Sequence, residues 1–297
     1  MKSLKAIIPV AGLGTKMLPA TKAIPKEMLP ILDKPIIQNI VDECYQAGIK
    51  DIIFITHSSK RAIENHFDNN FELEVTLERK FKIELLTALQ DICPPDINFI
   101  HIRQGEAKGI ADALNQAKIL CYGEPFAVLL PDVLINKYTS SYAKDNLADM
   151  INRFNDTGIS QLLVRKVPMN KTQDYGIVKL SEDKNFLNSG ERQLIFDMLE
   201  KPAPGTSPSD LAIVGRYVVS SEIWPLFDKT PINKNGEFEF TDTLRLLLKN
   251  NPIEALMMRG DSFDCGTKLG YLKAYMTYAY HDAKIHNDIV PLMKKCC

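Results

Sequence analysis

Hydrophobic positions along the chain fall into two regimes. In the first half, short and almost wholly apolar runs alternate with segments whose apolar residues recur at helical spacing. Residues 5–10, 51–56, 98–103 and 126–130 read as strands buried on both faces. Between them, residues 35–47 carry Ile36, Ile37, Ile40, Val41 and Cys44 on one helical stripe that stops at Gly48. Residues 59–67 read as a short capped helix, and 109–120 as another. Residues 71–90 read as one charged, solvent-facing helix ended by Cys93-Pro94-Pro95. Strands separated by helices require crossover connections, hence a mostly parallel sheet covered on both faces.

The second half has a different texture. Residues 161–167, 176–180, 193–199 and 211–219 read as strands in close succession, with a loop at 202–210 that holds three prolines. Helical spacing returns at 241–248 and 268–283, with one more strand at 253–258. The expectation is an α/β protein whose mostly parallel sheet carries an antiparallel extension. The linkers are too short to separate independent halves, so the chain reads as a single domain. Within it the texture changes near residue 135 and again near residue 260.

The stretch AGLGTKMLPATKAIPKEMLP, directly after the first strand, places two glycines, three prolines and three lysines in twenty residues. In an open sheet, ligands sit beyond the carboxyl ends of the strands, and glycines let backbone N–H groups approach them. The third glycine of a dinucleotide fingerprint is Met17 here, and the G-x-x-x-x-G-K-S/T of a triphosphatase loop is absent. A lone Gly-x-Gly is as compatible with a tight turn as with a ligand site. Pro19, Pro25 and Pro30 oppose helix formation and predict a long, stiff loop, a feature usually tied to function. Lys16, Lys22 and Lys26 on that loop become candidates for a polyphosphate clamp.

Composition narrows the chemistry. With 36 basic and 37 acidic residues the net charge is −1, so no long-range field draws nucleic acid or a membrane surface. Hydrophobic residues make up 45%, yet no apolar run has bilayer length, and the start of the chain shows no cleavable-signal pattern. Six cysteines lack any C-x-x-C pair, which suits reduced thiols and the cytoplasm, and the five histidines form no ligand set.

Taken together, the glycine-lysine stretch, DKPIIQ at 33–38, THSSK at 56–60, ENHFD at 64–68, RQGEAKG at 103–109, LLPDV at 129–133, EKP at 200–202, AIVGRY at 212–217 and DCGTKLGY at 264–271 resemble the sugar-1-phosphate nucleotidylyltransferases, and within them the bacterial UTP–glucose-1-phosphate uridylyltransferase branch. These motifs run in order over roughly nine-tenths of the chain. The resemblance implies a Rossmann-like three-layer α/β/α nucleotidyltransferase fold in which 1–135 form a nucleotide-binding half, 136–260 a sugar-binding half, and 261–297 a metal-site loop with C-terminal helices. It implies a reaction in which UTP and glucose 1-phosphate yield UDP-glucose and pyrophosphate by in-line attack on the α-phosphate, with Mg as cofactor. Two polyanions must meet, so positioning and charge neutralisation outweigh proton transfer.

By the same resemblance, the backbone of Ala11, Gly12 and Gly14 would hold the nucleotide, with Glu27 and Gln104 near the uracil and Gly109 against base or ribose. Lys16, Lys26 and Asp132 would be catalytic, and Asp132 with Asp264 would hold the metal. Glu200 would accept from glucose hydroxyls, Lys201 would pair with the sugar phosphate, and Gly176 and Val214-Gly215-Arg216 would line the sugar pocket. Relatives commonly form dimers or tetramers through their C-terminal helices, so a homo-oligomer is expected.

Two positions depart from the family pattern. Lys16 stands where an arginine is usual, and a lysine point charge does not reproduce a planar two-oxygen fork unless a nearby cation compensates. Ala111-Asp112 replaces the branch's Gly-His, and Asp112 reads as a solvated helix residue. These departures leave two rivals to the UDP-glucose-forming enzyme: a weakly active regulatory paralogue that binds a competent relative, and an enzyme of the same class using dTTP or another sugar phosphate.

Overall fold

The computed structural model describes residues 4–181 and 188–296; Cys297 lies outside them. The strands are β1 (Lys5–Pro9), β2 (Pro30–Ile31), β3 (Lys34–Pro35), β4 (Asp51–Thr56), β5 (Asn98–Arg103), β6 (Phe126–Leu129), β7 (Val133–Ile135), β8 (Ser160–Lys166), β9 (Gly176–Leu180), β10 (Arg192–Glu200), β11 (Leu211–Val219), β12 (Ile253–Met257) and β13 (Ser262–Asp264). The helices are α1 (Ile36–Gln46), α2 (Arg61–Phe67), α3 (Phe71–Arg79), α4 (Ile83–Gln90), α5 (Ile110–Gln116), α6 (Lys118–Cys121), α7 (Leu147–Thr157), α8 (Phe240–Leu248), α9 (Lys268–His281) and α10 (His286–Cys296).

One nine-stranded sheet runs in the order β5-β4-β1-β6-β11-β8-β12-β10-β9. β5, β4, β1 and β6 are mutually parallel, as expected from the apolar runs between helices. β11 then runs antiparallel to both β6 and β8, and β10 antiparallel to β12 and β9, so the antiparallel extension is continuous with the parallel half. Side chains alternate between two cores, one on each face. Ile7, Ile53 and Val128 meet α5 and α8, whereas Ile8, Phe54 and Leu129 meet α1, α2 and α7. Sheet and two helical layers thus make the three-layer α/β/α architecture.

Differences from the sequence expectation have local causes. Residues 71–90 form two helices rather than one, with Phe81 left-handed at φ 53° and the Lys82 N–H returning to the Leu77 carbonyl, a non-glycine version of a helix-terminating turn. Neither helix has a buried residue, so no core stripe enforces continuity. α7 was not anticipated, although Leu147, Met150, Ile151 and Phe154 supply a legible i, i+3, i+4, i+7 stripe. β7 and β13, three residues each, are too short to show alternation. Among the described residues no helix is long and apolar enough to cross a membrane, and Cys44, Cys93, Cys121 and Cys265 are free thiols.

Candidate active site

The chain leaves β1 by one further backbone bond, Val10 N–H to the Ile55 carbonyl at 2.9 Å, and then crosses the ends of the parallel strands. Residues 11–30 form three single turns, Thr15–Met17, Ala20–Lys22 and Lys26–Met28, separated by the prolines that deny them a helix. Gly14 takes φ 69° in the first turn, and its carbonyl accepts from Thr21 Oγ1 at 2.7 Å. A Cβ at Gly14 would touch Lys26 Cβ at 3.4 Å, so this glycine folds the loop onto Lys26. It lines neither of the two cavities described below. Lys22 is exposed and lines neither cavity, whereas Lys26 lines the first and the exposed Lys16 the second.

Lys26 Nζ reaches Asp132 Oδ2 at 2.7 Å. Burial opposes the charge on Lys26, but Asp132 and Glu27 outweigh it and hold the amine above its usual pKa. Burial would likewise raise Asp132, yet Lys26 holds that carboxyl below the usual range. Asp264 goes the other way, raised by burial and by the charge of Asp132. Two short strands bring these acids together: β13 pairs antiparallel with β7 so that Asp264 faces Val133, and Cys265 N–H donates to the Asp132 carbonyl at 2.8 Å. A Cβ on Gly266 would lie 3.1 Å from Asp132 Oδ2 and 3.1 Å from Asp264 Oδ1. The two carboxylates therefore flank one small space that only a glycine leaves open.

Arg216, expected to line the sugar pocket, is instead fully buried. Its guanidinium meets Glu43 in a two-bond fork, Nε to Oε1 at 2.9 Å and Nη2 to Oε2 at 2.7 Å. It also donates to the carbonyls of Leu130 at 3.2 Å and Val133 at 2.7 Å, the two residues that bracket Pro131-Asp132. An isolated buried guanidinium needs this many partners, and its chemistry is to hold the Asp132 turn rather than to touch a ligand.

The first cavity is lined by Ala11, Gly12, Lys26, Glu27, Gln104, Gly109 and Asp132 among others, and so gathers most of the residues expected at the nucleotide. Glu27 is fixed from below by Lys60, Nζ to Oε2 at 2.9 Å, with both side chains buried. Its Oε1 is buried without a protein partner. Lys60 lies in the THSSK motif, and its pairing with Glu27 was not legible from that motif. Gln104 Nε2 donates to Asp112 Oδ2 at 2.6 Å, so Asp112 is half-buried and engaged rather than solvated. Gly109 has φ 98°, and a Cβ there would strike the Phe238 carbonyl oxygen at 2.4 Å, so the glycine is required by its own chain as well as by the cavity.

The second cavity is lined by Lys16, Arg165, Gly176, Glu200, Lys201, Gly215, Glu239, Asp132 and Asp264 among others. A Cβ on Gly176 would press on Glu200 Oε2 at 3.0 Å, and Thr241 Oγ1 donates to that same oxygen at 2.6 Å. Gly215, at φ 73°, carries the register shift of β11 beside Leu130, whose side chain leaves no room for a Cβ. Lys201 Nζ lies 3.2 Å from Glu200 and 3.8 Å from Glu239. Burial opposes the charge on Lys201, but Glu200 and Glu239 together outweigh it and hold the amine above its usual pKa. Burial and Glu200 raise Glu239. Arg165, which sequence reasoning missed, donates through Nη1 to Ser262 Oγ at 3.1 Å and reaches the Tyr175 hydroxyl at 3.5 Å. No motif marks it, because β8 reads only as a buried strand.

Asp132 lines both cavities, and Ile110 and Leu130 do so with it. The two cavities are thus one cleft with a carboxylate at the waist. Carboxylates outnumber cations along this cleft, so the lysines alone do not neutralise two polyanions. The space between Asp132 and Asp264 fits a magnesium ion: two hard oxygen donors at a small opening, with the remaining positions left to phosphate oxygens and water. Among the described residues no group of three or more His, Cys, Asp or Glu is placed to hold a metal ion.

Residues 5–281 match a family model described as nucleotidyl transferase. A UTP–glucose-1-phosphate uridylyltransferase of Haemophilus influenzae is 48% identical over 291 residues, covering 98% of each chain. A UTP-bound UGPase from Acinetobacter baumannii superposes with TM-score 0.89 at 42% identity, covering 98% of each chain. A UDP-glucose pyrophosphorylase solved with UDP-glucose superposes with TM-score 0.81 at 33% identity, covering 93% of this chain and 98% of that one. A match spanning the whole nine-stranded sheet, with the paired acids and the glycine stretch inside it, leaves one conclusion: the chain belongs to the nucleotidyl transferase family.

Proposed function

We propose that this chain is a UTP–glucose-1-phosphate uridylyltransferase, forming UDP-glucose and pyrophosphate. The observation that carries the reading is the single cleft whose two lobes share Asp132. One lobe presents backbone, an amide and a carboxylate suited to a nucleoside; the other presents Glu200 and Glu239, which accept from sugar hydroxyls, with cations beside them. Residues 1–135 supply most of the first lobe and 136–260 most of the second, while 261–297 bring Asp264 and Gly266 to the waist.

Asp132 and Asp264 would hold Mg, which when bound would neutralise phosphate charge and orient the reacting groups. Lys26, already charged through its pairing with Asp132, would face the triphosphate as the negative charge of the transition state develops. Ala11 and Gly12 carry no bulky side chain to keep phosphates from the backbone. Lys201 is engaged with Glu200 and Glu239, so the sugar phosphate would draw also on Arg165 and Lys16, which border the same lobe.

Arg165 thereby compensates for the lysine at position 16. Replacing it by alanine is expected to raise KM for glucose 1-phosphate about tenfold or more, the worth of one charge-assisted hydrogen bond, with KM for UTP nearly unchanged. Steady-state kinetics with each substrate varied in turn decides this, and equal effects on both would count against it. Lys16→Arg is expected to leave turnover unchanged or raise it, since Lys16 is exposed and a planar fork is the better phosphate partner. A sharp fall would show that residue 16 does not face phosphate.

The direct test of the function is pyrophosphate release from UTP, glucose 1-phosphate and magnesium, run beside dTTP, CTP and GTP. Turnover is expected with UTP foremost; none with any triphosphate would leave a regulatory role. A homo-oligomer accords with Leu269, Leu272 and Met276 exposed on α9, a surface a second copy would cover, and a cytoplasmic setting accords with the free thiols.

A further inference from the structure

We infer that Asp112 is the residue that sets base selectivity, by fixing which end of the Gln104 amide faces the nucleotide. The inference rests on the uridylyltransferase reading above and names a determinant within it. A carboxylate at neutral pH has only acceptors, so the atom 2.6 Å from Asp112 Oδ2 must be the amide nitrogen of Gln104. The same nitrogen lies 3.5 Å from the Gly109 carbonyl oxygen, another acceptor. Both neighbours therefore demand N–H groups, and both lie at the start of α5. The amide is held at its root as well, since Gln104 N–H donates to the Thr56 carbonyl at 2.8 Å.

What remains for a ligand is Oε1. Among the described residues no donor reaches it, while Gln104 is 4% exposed and lines the first cavity. The cavity thus offers an incoming base a fixed acceptor. Uracil and thymine carry N–H at ring position 3, which satisfies that acceptor. Cytosine carries a lone pair there, which opposes it. A glutamine free to turn would serve either base equally, because its two ends are nearly the same shape. Asp112 removes that freedom. An acidic residue in the first turn of a helix is also favourable toward the helix dipole, but that accounts for its presence and not for its bond to Gln104.

The test is the ratio of CTP to UTP dissociation constants, measured by calorimetry on the whole protein, for the parent chain, Asp112→Asn, Asp112→Ala, Gln104→Ala and Gln104→Ala combined with Asp112→Ala. The parent is expected to favour UTP. Each Asp112 variant is expected to lower that preference about tenfold or more, since an unmatched buried polar contact is relieved when the amide can turn. In the Gln104→Ala background, removing Asp112 is expected to change the ratio no further. An unchanged ratio in Asp112→Ala, or an equal drop with Gln104 already absent, would overturn the inference. Because binding is read rather than turnover, an inactive protein would sink the proposed reaction without deciding this point.

Discussion

Asp132→Asn is expected to lower the rate of UDP-glucose formation on the order of 10³-fold, with the protein still folded and still binding UTP. The size of the effect follows from the number of roles that meet at this carboxylate. It lines both lobes of the cleft, pairs with Lys26 at 2.7 Å and faces Asp264 across the space left by Gly266. The asparagine keeps the shape but removes the charge that would bind a divalent cation and that keeps Lys26 oriented. Asp264→Asn should fall short of it, because Asp264 lacks the lysine partner. The check is single-turnover pyrophosphate release alongside calorimetric UTP binding. If turnover fell by only a few-fold, Asp132 would not be at the reaction centre.

The second large effect is on stability. Arg216→Met is expected to cost about 3–5 kcal/mol, read as a fall in the urea midpoint, because it leaves Glu43 buried and unpaired. Joining it to Glu43→Leu should recover most of that loss, since a buried ion pair replaced whole by apolar groups is often neutral. Activity should not return with it. Arg216 also ties the Leu130 and Val133 carbonyls on either side of Asp132, and no methionine donates to them. A double variant that regained full turnover would show that the Asp132 turn needs no such support.

Much of this was legible in the sequence, and for identifiable reasons. The apolar runs before Val10, Thr56 and Leu130 could only be central strands, so the loops after them had to gather at one end of the sheet. The prolines between Pro19 and Pro30 announced a long loop in place of an α-helix, and the stretch forms only three single 3-10 turns. What stayed hidden depends on long-range contact. Arg216 sits in an AIVGRY run that looks like a pocket wall, and only the partner Glu43, far away in sequence, shows it to be a buried brace. Asp112 looked like any first-turn acid until Gln104 was seen against it. Arg165 lies on a strand whose pattern reports burial, not the lobe beyond its end. Gly14, Gly109 and Gly215 each take a positive φ that their own turn or bulge uses, a local demand that no motif reports.

Asp132 and Asp264 are proposed to act together on one divalent cation at the waist of the cleft. Anomalous diffraction from crystals grown with manganese and UDP-glucose tests it most directly. One strong peak is expected within bonding distance of both carboxylates and of the ligand's phosphates. A cation bound by the phosphates alone, with either carboxylate turned away, would contradict it.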